Sequence, residues 1–314
     1  MKLLVTGCAG FIGANFTEYI LKKYPCDRVI GVDCLTYAAN LIALDGLKQN
    51  KNFTFYKYNI CDRLAMTELF ENESPDVVVN FAAETHVDRS IASSSEFIRT
   101  NVLGTDVLLD LSLKYAVKRF HQVSTDEVYG DTPLDADPRF TEDAPLNPSS
   151  PYSASKAAAD LLALSYMHTH GLPVSISRSS NNYGKYQHRE KLIPATVGRI
   201  LEGSPILIYG DGSNMRDWLY VGDNCSAIDM IIRAGECGIY NVSADNQLSN
   251  LELVNKILSI LDNPDHKLSF VEDRKGHDRK YSVSSDKLKA LGWTTTADFE
   301  RELKHTVEWY SENK

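Results

Sequence analysis

The stretch Lys2-Leu3-Leu4-Val5-Thr6-Gly7-Cys8-Ala9-Gly10-Phe11-Ile12-Gly13 decides the fold of this chain. Its apolar first half predicts a strand, and a helix is predicted to begin near Phe11. Gly7, Gly10 and Gly13 allow a tight turn, close approach of backbone to a pyrophosphate, and close packing of helix on strand. The free N–H groups of the helix N-terminus also suit that anion. We therefore predict a dinucleotide-binding turn.

An acidic residue follows at the spacing typical of such a turn. A second strand is predicted to end at Asp33, about 20 residues after Gly13, where a carboxylate accepts hydrogen bonds from the adenosine ribose hydroxyls. Cys34 and Leu35 come next rather than an arginine, so a 2′-phosphate would meet uncompensated negative charge. These residues favour NAD over NADP. The alternative is a glycine-rich turn followed by an incidental aspartate.

Short β-branched runs alternate with longer amphipathic stretches through the first 180 residues. The predicted strands are Lys2–Thr6, Arg28–Asp33, Phe53–Tyr58, Asp76–Phe81, Arg119–Ser124 and Pro173–Arg178. Their continuous apolar runs are typical of a parallel sheet that crossover helices cover on both faces. The predicted fold class is α/β, a doubly wound parallel sheet of the Rossmann type with a smaller C-terminal substrate-binding lobe.

The predicted domain boundary lies near residue 180. Beyond it, glycine, proline and asparagine become frequent, and helices are predicted at Leu251–Leu261 and Phe299–Tyr310. We expect residues 1–180 to bind the dinucleotide and carry the catalytic groups, and residues 181–314 to form mainly the substrate-binding lobe, with strands able to cross between them. Since no Ser/Gly-rich linker separates the two parts, we expect a packed interface with a cleft.

Charge and composition exclude several classes of protein. The 314 residues include 42 acidic and 33 basic ones, a formal net charge of −9, which argues against a nucleic-acid partner. No apolar run approaches the ~20 residues of a membrane helix. Six cysteines without a C-x-x-C pair, and a start that runs directly into a turn, predict a reduced cytoplasmic protein. The eight histidines form no H-E-x-x-H pattern, so no metal site is predicted.

Two further motifs carry candidate catalytic residues. Tyr152 and Lys156 lie four residues apart at the start of a predicted helix and so share one face. Such a pair alone is more often a buried tyrosine and a solvated lysine, and the upstream glycine turn favours catalysis. Thr125, Asp126 and Glu127 follow the fifth predicted strand, at the sheet edge where α/β proteins bind ligands. Adjacent carboxylates otherwise form a solvated turn or cap a helix; here they are a candidate acid and base.

These motifs resemble those of the extended short-chain dehydrogenases, and the chain closely resembles the dTDP-glucose 4,6-dehydratases over nearly its whole length. The Thr125–Glu127 trio is the most discriminating feature, because related epimerases generally lack these carboxylates. The matching stretches are the glycine turn, Ala82–Ile91, Thr125–Glu127, the Tyr152/Lys156 pair, Ser180–Gly184, Arg216–Val221 and Asp273–Asp278.

The resemblance implies an NAD-dependent hydro-lyase that acts on a nucleotide-diphosphate hexose. Tyr152, assisted by Lys156 and Thr125, would take the proton of the sugar 4-hydroxyl as hydride passes from C4 to NAD, and a nearby ammonium and the cationic nicotinamide would lower the tyrosine pKa from about 10 toward about 7. The 4-ketone acidifies the hydrogen at C5. Glu127 then removes that proton while Asp126, kept protonated by its carboxylate neighbour, donates to the departing 6-hydroxyl. Hydride returns to C6 and a proton to C5, which leaves a 4-keto-6-deoxy sugar.

The resemblance also assigns ligand contacts. Arg216 is the expected diphosphate clamp, since a guanidinium grips phosphate oxygens in a bidentate fork; the alternative is a surface ion pair with Asp217. The segment Asp273–His277, which includes Lys275, is expected to contact substrate. Cofactor contacts would be Gly7, Gly10, Phe11, Ile12, Gly13, Asp33, Thr36, Ile60, Ala82, Ala83, Thr100, Tyr152, Lys156 and Asn182. Substrate contacts would be Thr85, Asn181, Lys191, Leu192, Tyr209, Arg216, Asn250, Arg274 and His277.

Some positions depart from the family pattern. Cys8, Asn59 and Thr85 stand where glycine, aspartate and serine are usual, and none touches the implied chemistry. Gly184–Lys191 carries two extra cationic residues and a histidine where prolines and a phenylalanine are typical, which leaves substrate choice open.

Several alternatives stay open at this point. They are a UDP-sugar 4,6-dehydratase, a nucleotide-sugar epimerase or decarboxylase, and a non-catalytic NAD-binding scaffold. One methyl group, worth about 1 kcal/mol, is all that separates thymidine from uridine by hydrophobic contact. The resemblance further implies a homodimer, formed by helices at Ser95–Tyr115 and Tyr152–His170 packed as a four-helix bundle.

Overall fold

The computed structural model describes residues 1–132, 139–274 and 276–313. Lys275, in the predicted substrate segment, lies outside these ranges. The strands are β1 (Lys2–Thr6), β2 (Arg28–Val32), β3 (Phe53–Tyr56), β4 (Val77–Asn80), β5 (Arg119–Thr125), β6 (Val174–Ser179), β7 (Asn181–Tyr183), β8 (Ile206–Tyr209), β9 (Met215–Tyr220), β10 (Gly238–Val242), β11 (Gln247–Ser249) and β12 (Leu268–Val271).

The helices cover both faces of the sheet and build most of the C-terminal lobe. A π-helical segment, Ile98–Gly104, interrupts the long helix predicted at Ser95–Tyr115, and a 3-10 turn, Asp126–Tyr129, follows β5. The α-helices are α1 (Phe11–Lys23), α2 (Leu41–Lys48), α3 (Arg63–Glu73), α4 (Val87–Ala92), α5 (Ser95–Phe97), α6 (Thr105–Lys114), α7 (Pro151–His170), α8 (Leu192–Leu201), α9 (Val221–Ala234), α10 (Asn250–Ile260), α11 (Asp286–Ala290) and α12 (Phe299–Glu312).

The predicted α/β class is confirmed. In the described ranges the larger sheet has seven strands in the order β10-β6-β5-β4-β1-β2-β3, and every pairing in it is parallel. The six predicted strands are its β1 to β6, each within two residues of its predicted bounds. Strand order reverses between β1 and β4, and a crevice at that point is where doubly wound sheets bind ligands.

Apolar side chains pack on both faces of this sheet because its strands have no solvated side. Phe16 of α1 and Ile228 of α9 belong to the cluster on one face. Phe70 of α3, Leu108 of α6 and Ala163 of α7 belong to the cluster on the other. Both clusters include residues with no exposed surface, so the sheet is rigid at the point where its strands end.

The C-terminal half contributes to both lobes. After β7 the chain builds a separate core from α8, α10 and α12 against β8 and β9, and smaller sheets form with the orders β11-β9-β7 and β12-β8. It then returns to the larger sheet, where β10 pairs with β6 and α9 packs against α1. Strands therefore cross between the lobes, and the boundary near residue 180 stays a prediction. No helix in the described ranges has the length and apolarity that a bilayer crossing requires.

Candidate active site

The glycine turn packs tightly against the segment after β4 and against the first turn of α1. Gly7 has φ +66°, and a methyl group added there would lie 2.8 Å from the backbone nitrogen of Ala82. A methyl group on Gly13 would lie 2.2 Å from the carbonyl oxygen of Gly7. Either position therefore tolerates only hydrogen, which is the close packing that a pyrophosphate-binding turn needs. Helix α1 begins at Phe11 with no side-chain cap at Gly10, so its first N–H groups are available to an anion.

Asp33 lies beside this turn at the end of β2. Its two carboxylate oxygens accept the N–H groups of Ala9 at 3.0 Å and Leu35 at 2.7 Å. Burial raises the pKa of Asp33, and the two backbone hydrogen bonds act in the opposite direction. Each oxygen retains a lone pair, so the donor set that fixes the carboxylate leaves room for ribose hydroxyls.

The other predicted cofactor residues lie around the same sheet edge. Thr36, Ile60, Ala82 and Ala83 follow the carboxyl ends of β2, β3 and β4, and Thr100 lies in the π-helical segment. Asn182, on β7, has a buried Oδ1 atom with no hydrogen-bond partner in the described ranges. A buried amide oxygen left without a donor is typical of a ligand contact. These residues fit a dinucleotide across the β1/β4 crevice.

The predicted catalytic trio occupies the end of β5 and the 3-10 turn after it. The Thr125 hydroxyl donates to Oδ1 of Asp126 at 3.3 Å and accepts the N–H of Glu127 at 3.3 Å. Asp126 is only 3% exposed, and its Oδ2 atom has no partner among the residues described. The tight turn thus buries Asp126 and leaves Glu127 half-buried at the cavity that it lines.

Those surroundings separate the proton affinities of the pair. Burial is the largest cause that raises the pKa of Asp126 well above its ordinary value, and the charges of Glu127 and Asp217 add to it. Burial also raises the pKa of Glu127, but the cations of Arg216 and Lys191 oppose the change. Desolvation, more than the neighbouring carboxylate predicted from sequence, keeps Asp126 protonated. Glu127 is therefore the base and Asp126 the acid that this geometry favours.

Tyr152 and Lys156 share the first turns of α7, which Pro151 and a capping box at Ser150 start. Burial raises the pKa of Tyr152 well above 10, and the charges of Glu127 and Asp126 raise it further. The Lys156 ammonium donates to the carbonyl oxygen of Val123 at 2.6 Å, and burial lowers its pKa to about 8. The Lys156 ammonium thus donates to the β5 backbone, and the expected lowering of the tyrosine pKa by this ammonium and the nicotinamide cation stays a prediction.

A cavity of about 650 Å³ lies in front of these groups, between the two lobes. Glu127, Tyr152 and Asn182 line it. All nine predicted substrate contacts line it as well, namely Thr85, Asn181, Lys191, Leu192, Tyr209, Arg216, Asn250, Arg274 and His277. The fold therefore brings the candidate acid/base residues and the candidate substrate residues to one site.

A family model described as GDP-mannose 4,6 dehydratase matches residues 4–306. The chain belongs to this family. The low-salt glycan biosynthesis protein Agl12 of Haloferax volcanii is 48% identical over 311 residues, which are 99% of this chain and 98% of that protein. The dTDP-glucose 4,6-dehydratase of Haemophilus influenzae is 44% identical over 332 residues, with 99% of this chain and 98% of that protein covered. The resemblance predicted from sequence is confirmed.

Solved structures agree with this family membership. DesIV, a dTDP-glucose 4,6-dehydratase from Streptomyces venezuelae with NAD bound, matches with a TM-score of 0.96 at 43% identity, covering 100% of this chain and 98% of that one. The whole chain therefore follows the fold of an experimentally observed dehydratase, including the C-terminal lobe.

In this family member, Arg216 is buried and its partners are unexpected. One terminal nitrogen donates to the carbonyl oxygens of Met215 at 2.7 Å and Arg279 at 3.3 Å, and the other donates to the carbonyl oxygen of Asp278 at 2.9 Å. Asp217 does not neutralise it, since that carboxylate accepts the N–H groups of Ala244 and Asn246. The surface ion pair considered as an alternative is not formed. The terminal N–H groups of Arg216 already donate to protein acceptors. We therefore expect Arg216 to attract a diphosphate through its charge more than through a bidentate hydrogen bond.

Two other cations stand on the same wall. Lys191 donates to the carbonyl oxygen of Thr85 at 3.2 Å, and burial lowers its pKa. Arg274 donates to Oδ2 of Asp88 at 2.9 Å and lies 4.5 Å from the ring centre of Tyr209. This wall of the cavity is therefore basic, opposite the acidic groups that end β5.

The unusual loop after Gly184 is held at several points. The Lys185 ammonium lies 2.8 Å from a carboxylate oxygen of Glu18. The His188 ring meets Tyr37 edge-on, with 5.3 Å between ring centres, and Arg189 lines the cavity. The departures from the family pattern thus anchor the loop with Lys185 and His188 and leave Arg189 facing the site.

A buried ion pair behind Lys156 was missed by the sequence reasoning. Nε of Arg178 donates to Oδ2 of Asp160 at 2.9 Å, and Nη1 of Arg178 donates to the Tyr129 hydroxyl at 2.9 Å. The charge of Asp160 favours the ammonium form of Lys156. Two signals pointed to it: Asp160 is four residues after Lys156 on α7, and Arg178 interrupts a buried strand. No cluster with metal-binding composition occurs in the described ranges.

Proposed function

We propose that this protein is a dTDP-glucose 4,6-dehydratase that forms dTDP-4-keto-6-deoxyglucose. The observation that carries the proposal is the Asp126/Glu127 pair beside the cavity that Tyr152 lines. The pKa of Asp126 is raised well above its ordinary value. The pKa of Glu127 is also raised, but the cations of Arg216 and Lys191 oppose that change. Epimerization requires no such acid and base. The 44% identity to a full-length dTDP-glucose 4,6-dehydratase supports the same conclusion.

NAD, when bound, accepts a hydride from C4 of the sugar and returns it at C6. We assign it to the crevice between β1 and β4, with Gly7, Gly10, Phe11, Ile12 and Gly13 at its pyrophosphate and Asp33 at its ribose. Thr36, Ile60, Ala82, Ala83, Thr100, Tyr152, Lys156 and Asn182 complete the proposed contacts. Residues 1–180 are the proposed cofactor domain, and residues 181–314 mainly bind the nucleotide sugar.

The chain's own residues divide the proton transfers. Tyr152, assisted by Lys156 and the Thr125 hydroxyl, takes the proton of the sugar 4-hydroxyl. Glu127 removes the acidified proton at C5, and the protonated carboxyl of Asp126 donates to the leaving 6-hydroxyl. Burial favours the protonated form of Asp126 that its step requires, and the cations of Arg216 and Lys191 favour the charged form of Glu127.

Incubation of the holoenzyme with dTDP-glucose, followed by mass spectrometry, tests the proposal directly. A product that has lost one water is expected, and a product of unchanged mass would indicate an epimerase instead. Hexoses carrying UDP, CDP or GDP form the comparison panel. Faster water loss from a UDP-hexose would replace dTDP-glucose with that substrate, and no turnover with any member would favour a non-catalytic NAD-binding protein.

We also propose a homodimer. Ile98 (51% exposed) and Leu103 (56%) of the π-helical segment and Leu161 (57%) of α7 are apolar and solvent-facing on the two predicted interface helices. Sedimentation should show a dimer at micromolar concentration. Leu161→Glu should shift it toward monomer, whereas Leu41→Glu, on exposed α2, should not. A wild-type monomer would contradict the proposal.

The six free cysteines support a reducing, cytoplasmic location.

A further inference from the structure

His277 contacts the buried Arg216 guanidinium in an orientation that determines its own protonation state. Nε2 of the imidazole lies 3.1 Å from Nη2 of Arg216, and Nδ1 lies 2.6 Å from Oδ1 of Asp273. Arginine has no acceptor, so Nε2 must present a lone pair. The proton is then on Nδ1 and is donated to the Asp273 carboxylate. Asn214 lies 3.4 Å from Nδ1, too weak a contact to displace that carboxylate.

Every acceptor around Arg216 is therefore electrically neutral. Three are backbone carbonyls and the fourth is the His277 imidazole. The ring of Tyr281, 4.5 Å from the guanidinium carbon, adds no charge. Asp273, the nearest carboxylate in this chain of hydrogen bonds, is kept one imidazole away. Neutral acceptors thus position Arg216, and its charge acts on the Glu127 carboxyl group that lines the same cavity.

We propose that neutral His277 is a positioning residue, which fixes the Arg216 guanidinium for the diphosphate of the substrate. This inference rests on the proposed function. It assigns to His277 a role through Arg216 in place of a direct sugar or nucleotide contact. A second cation at 3.1 Å would repel the guanidinium, so protonation of His277 weakens diphosphate binding.

The charged groups around the imidazole set the pH range of this effect. Burial lowers the pKa of His277, and the charges of Arg216 and Arg274 act in the same direction. Asp273 opposes them, both by its hydrogen bond and by its charge. The neutral form therefore dominates at neutral pH, and the binding site weakens as pH falls through the lowered pKa of the histidine.

Calorimetric titration of the NAD-loaded protein with dTDP between pH 8 and pH 5 tests the proposal without turnover. His277→Gln retains a neutral acceptor that does not titrate, so the ratio of the two Kd values cancels the ligand's own protonation. Wild type should bind dTDP more weakly relative to His277→Gln as pH falls through the lowered pKa of His277. Parallel pH profiles would overturn the proposal. His305→Gln, on exposed α12, is the matched control and should follow wild type.

Two further variants keep the test decisive. His277→Phe removes the acceptor and should bind dTDP about tenfold more weakly at pH 8; unchanged binding would contradict the role. Asp273→Asn removes the charge that favours the imidazolium form of His277. The pH at which dTDP binding weakens should therefore fall by about one unit. If the pH at which binding weakens is unchanged in this variant, His277 has a structural role alone. Water loss from dTDP-glucose by wild type is scored separately, so the proposed function can fail while this binding behaviour stands.

Discussion

The acidic and basic walls of the cavity are built in different ways. The acidic wall comes from one sheet, in which Asp33, Asp126 and the glycine turn all follow the carboxyl ends of parallel strands. The basic wall combines Lys191 at the start of α8, Arg216 on β9 and the loop after β12, and β9 and β12 lie in two different small sheets. A parallel sheet aligns its strand ends by rule, whereas the second wall exists only through long-range packing.

The two walls also use burial in opposite ways. Burial raises the pKa of Asp126 and Tyr152, so both groups are protonated in the protein alone. On the other side, burial lowers the pKa of Lys191. Burial therefore disfavours the charged form of these groups on both walls. Substitutions on the two walls should therefore separate chemistry from binding.

The largest expected effect is on the acidic side, at Tyr152. Tyr152→Phe should reduce kcat about 10⁴-fold, because it removes the group that accepts the 4-hydroxyl proton before any later step. Rapid mixing with dTDP-glucose should show neither NADH absorbance nor water loss. Tyr58→Phe, outside the cavity, is the control. Substantial NADH formation by Tyr152→Phe would break the assignment.

Glu127→Gln should sharpen the same comparison by stopping only one half-reaction. Water loss should fall about 10³-fold while NADH still accumulates, because the amide cannot take the C5 proton. In wild type, elimination should be lost as pH falls through the raised pKa of Glu127, since the base is then protonated. The residual water loss catalysed by Glu127→Gln should not show this decrease at low pH. Equal loss of both half-reactions would contradict the division of labour.

A smaller effect is expected behind the acidic wall, at the buried ion pair. Asp160→Asn should lower the free energy of unfolding by about 3 kcal/mol, because it leaves the Arg178 guanidinium buried without its counter-charge. The double variant Asp160→Leu/Arg178→Met should recover most of that loss in urea unfolding. Lys256→Gln, which breaks an exposed pair with Glu300, should cost less than about 1 kcal/mol. Similar losses for both single variants would show that burial is not what matters.

The smallest expected effects concern two glycines. Gly13→Ala should cost about 1–3 kcal/mol of stability and release NAD, because the new methyl group would meet the Gly7 carbonyl at 2.2 Å. Gly46→Ala, in α2, meets nothing within 4 Å and should stabilise the helix by about 0.5–1 kcal/mol. Thermal unfolding and the NAD content of the purified variants measure both. Retained NAD in Gly13→Ala would contradict the proposed position of the pyrophosphate.

The sequence by itself determined the features that depend on local chemistry. The β1 strand, the glycine turn and the start of α1 follow from apolar pattern, glycine spacing and helix-end rules over a dozen residues. The separation of Tyr152 and Lys156 by one helical turn follows likewise from periodicity. Resemblance extended this to the residues of the basic wall, all of which line one cavity.

Only the tertiary structure determined which side chains contact one another across the fold. Spacing along α7 does not show that the Lys156 ammonium donates to Val123, nor that Asp160 pairs with Arg178. Nothing in the order of residues shows that β10 returns to the large sheet, or that neutral acceptors surround Arg216. The proton affinities of the buried groups and the charges around Arg216 depend on desolvation and on residues distant in sequence, so they are set only when the chain has folded.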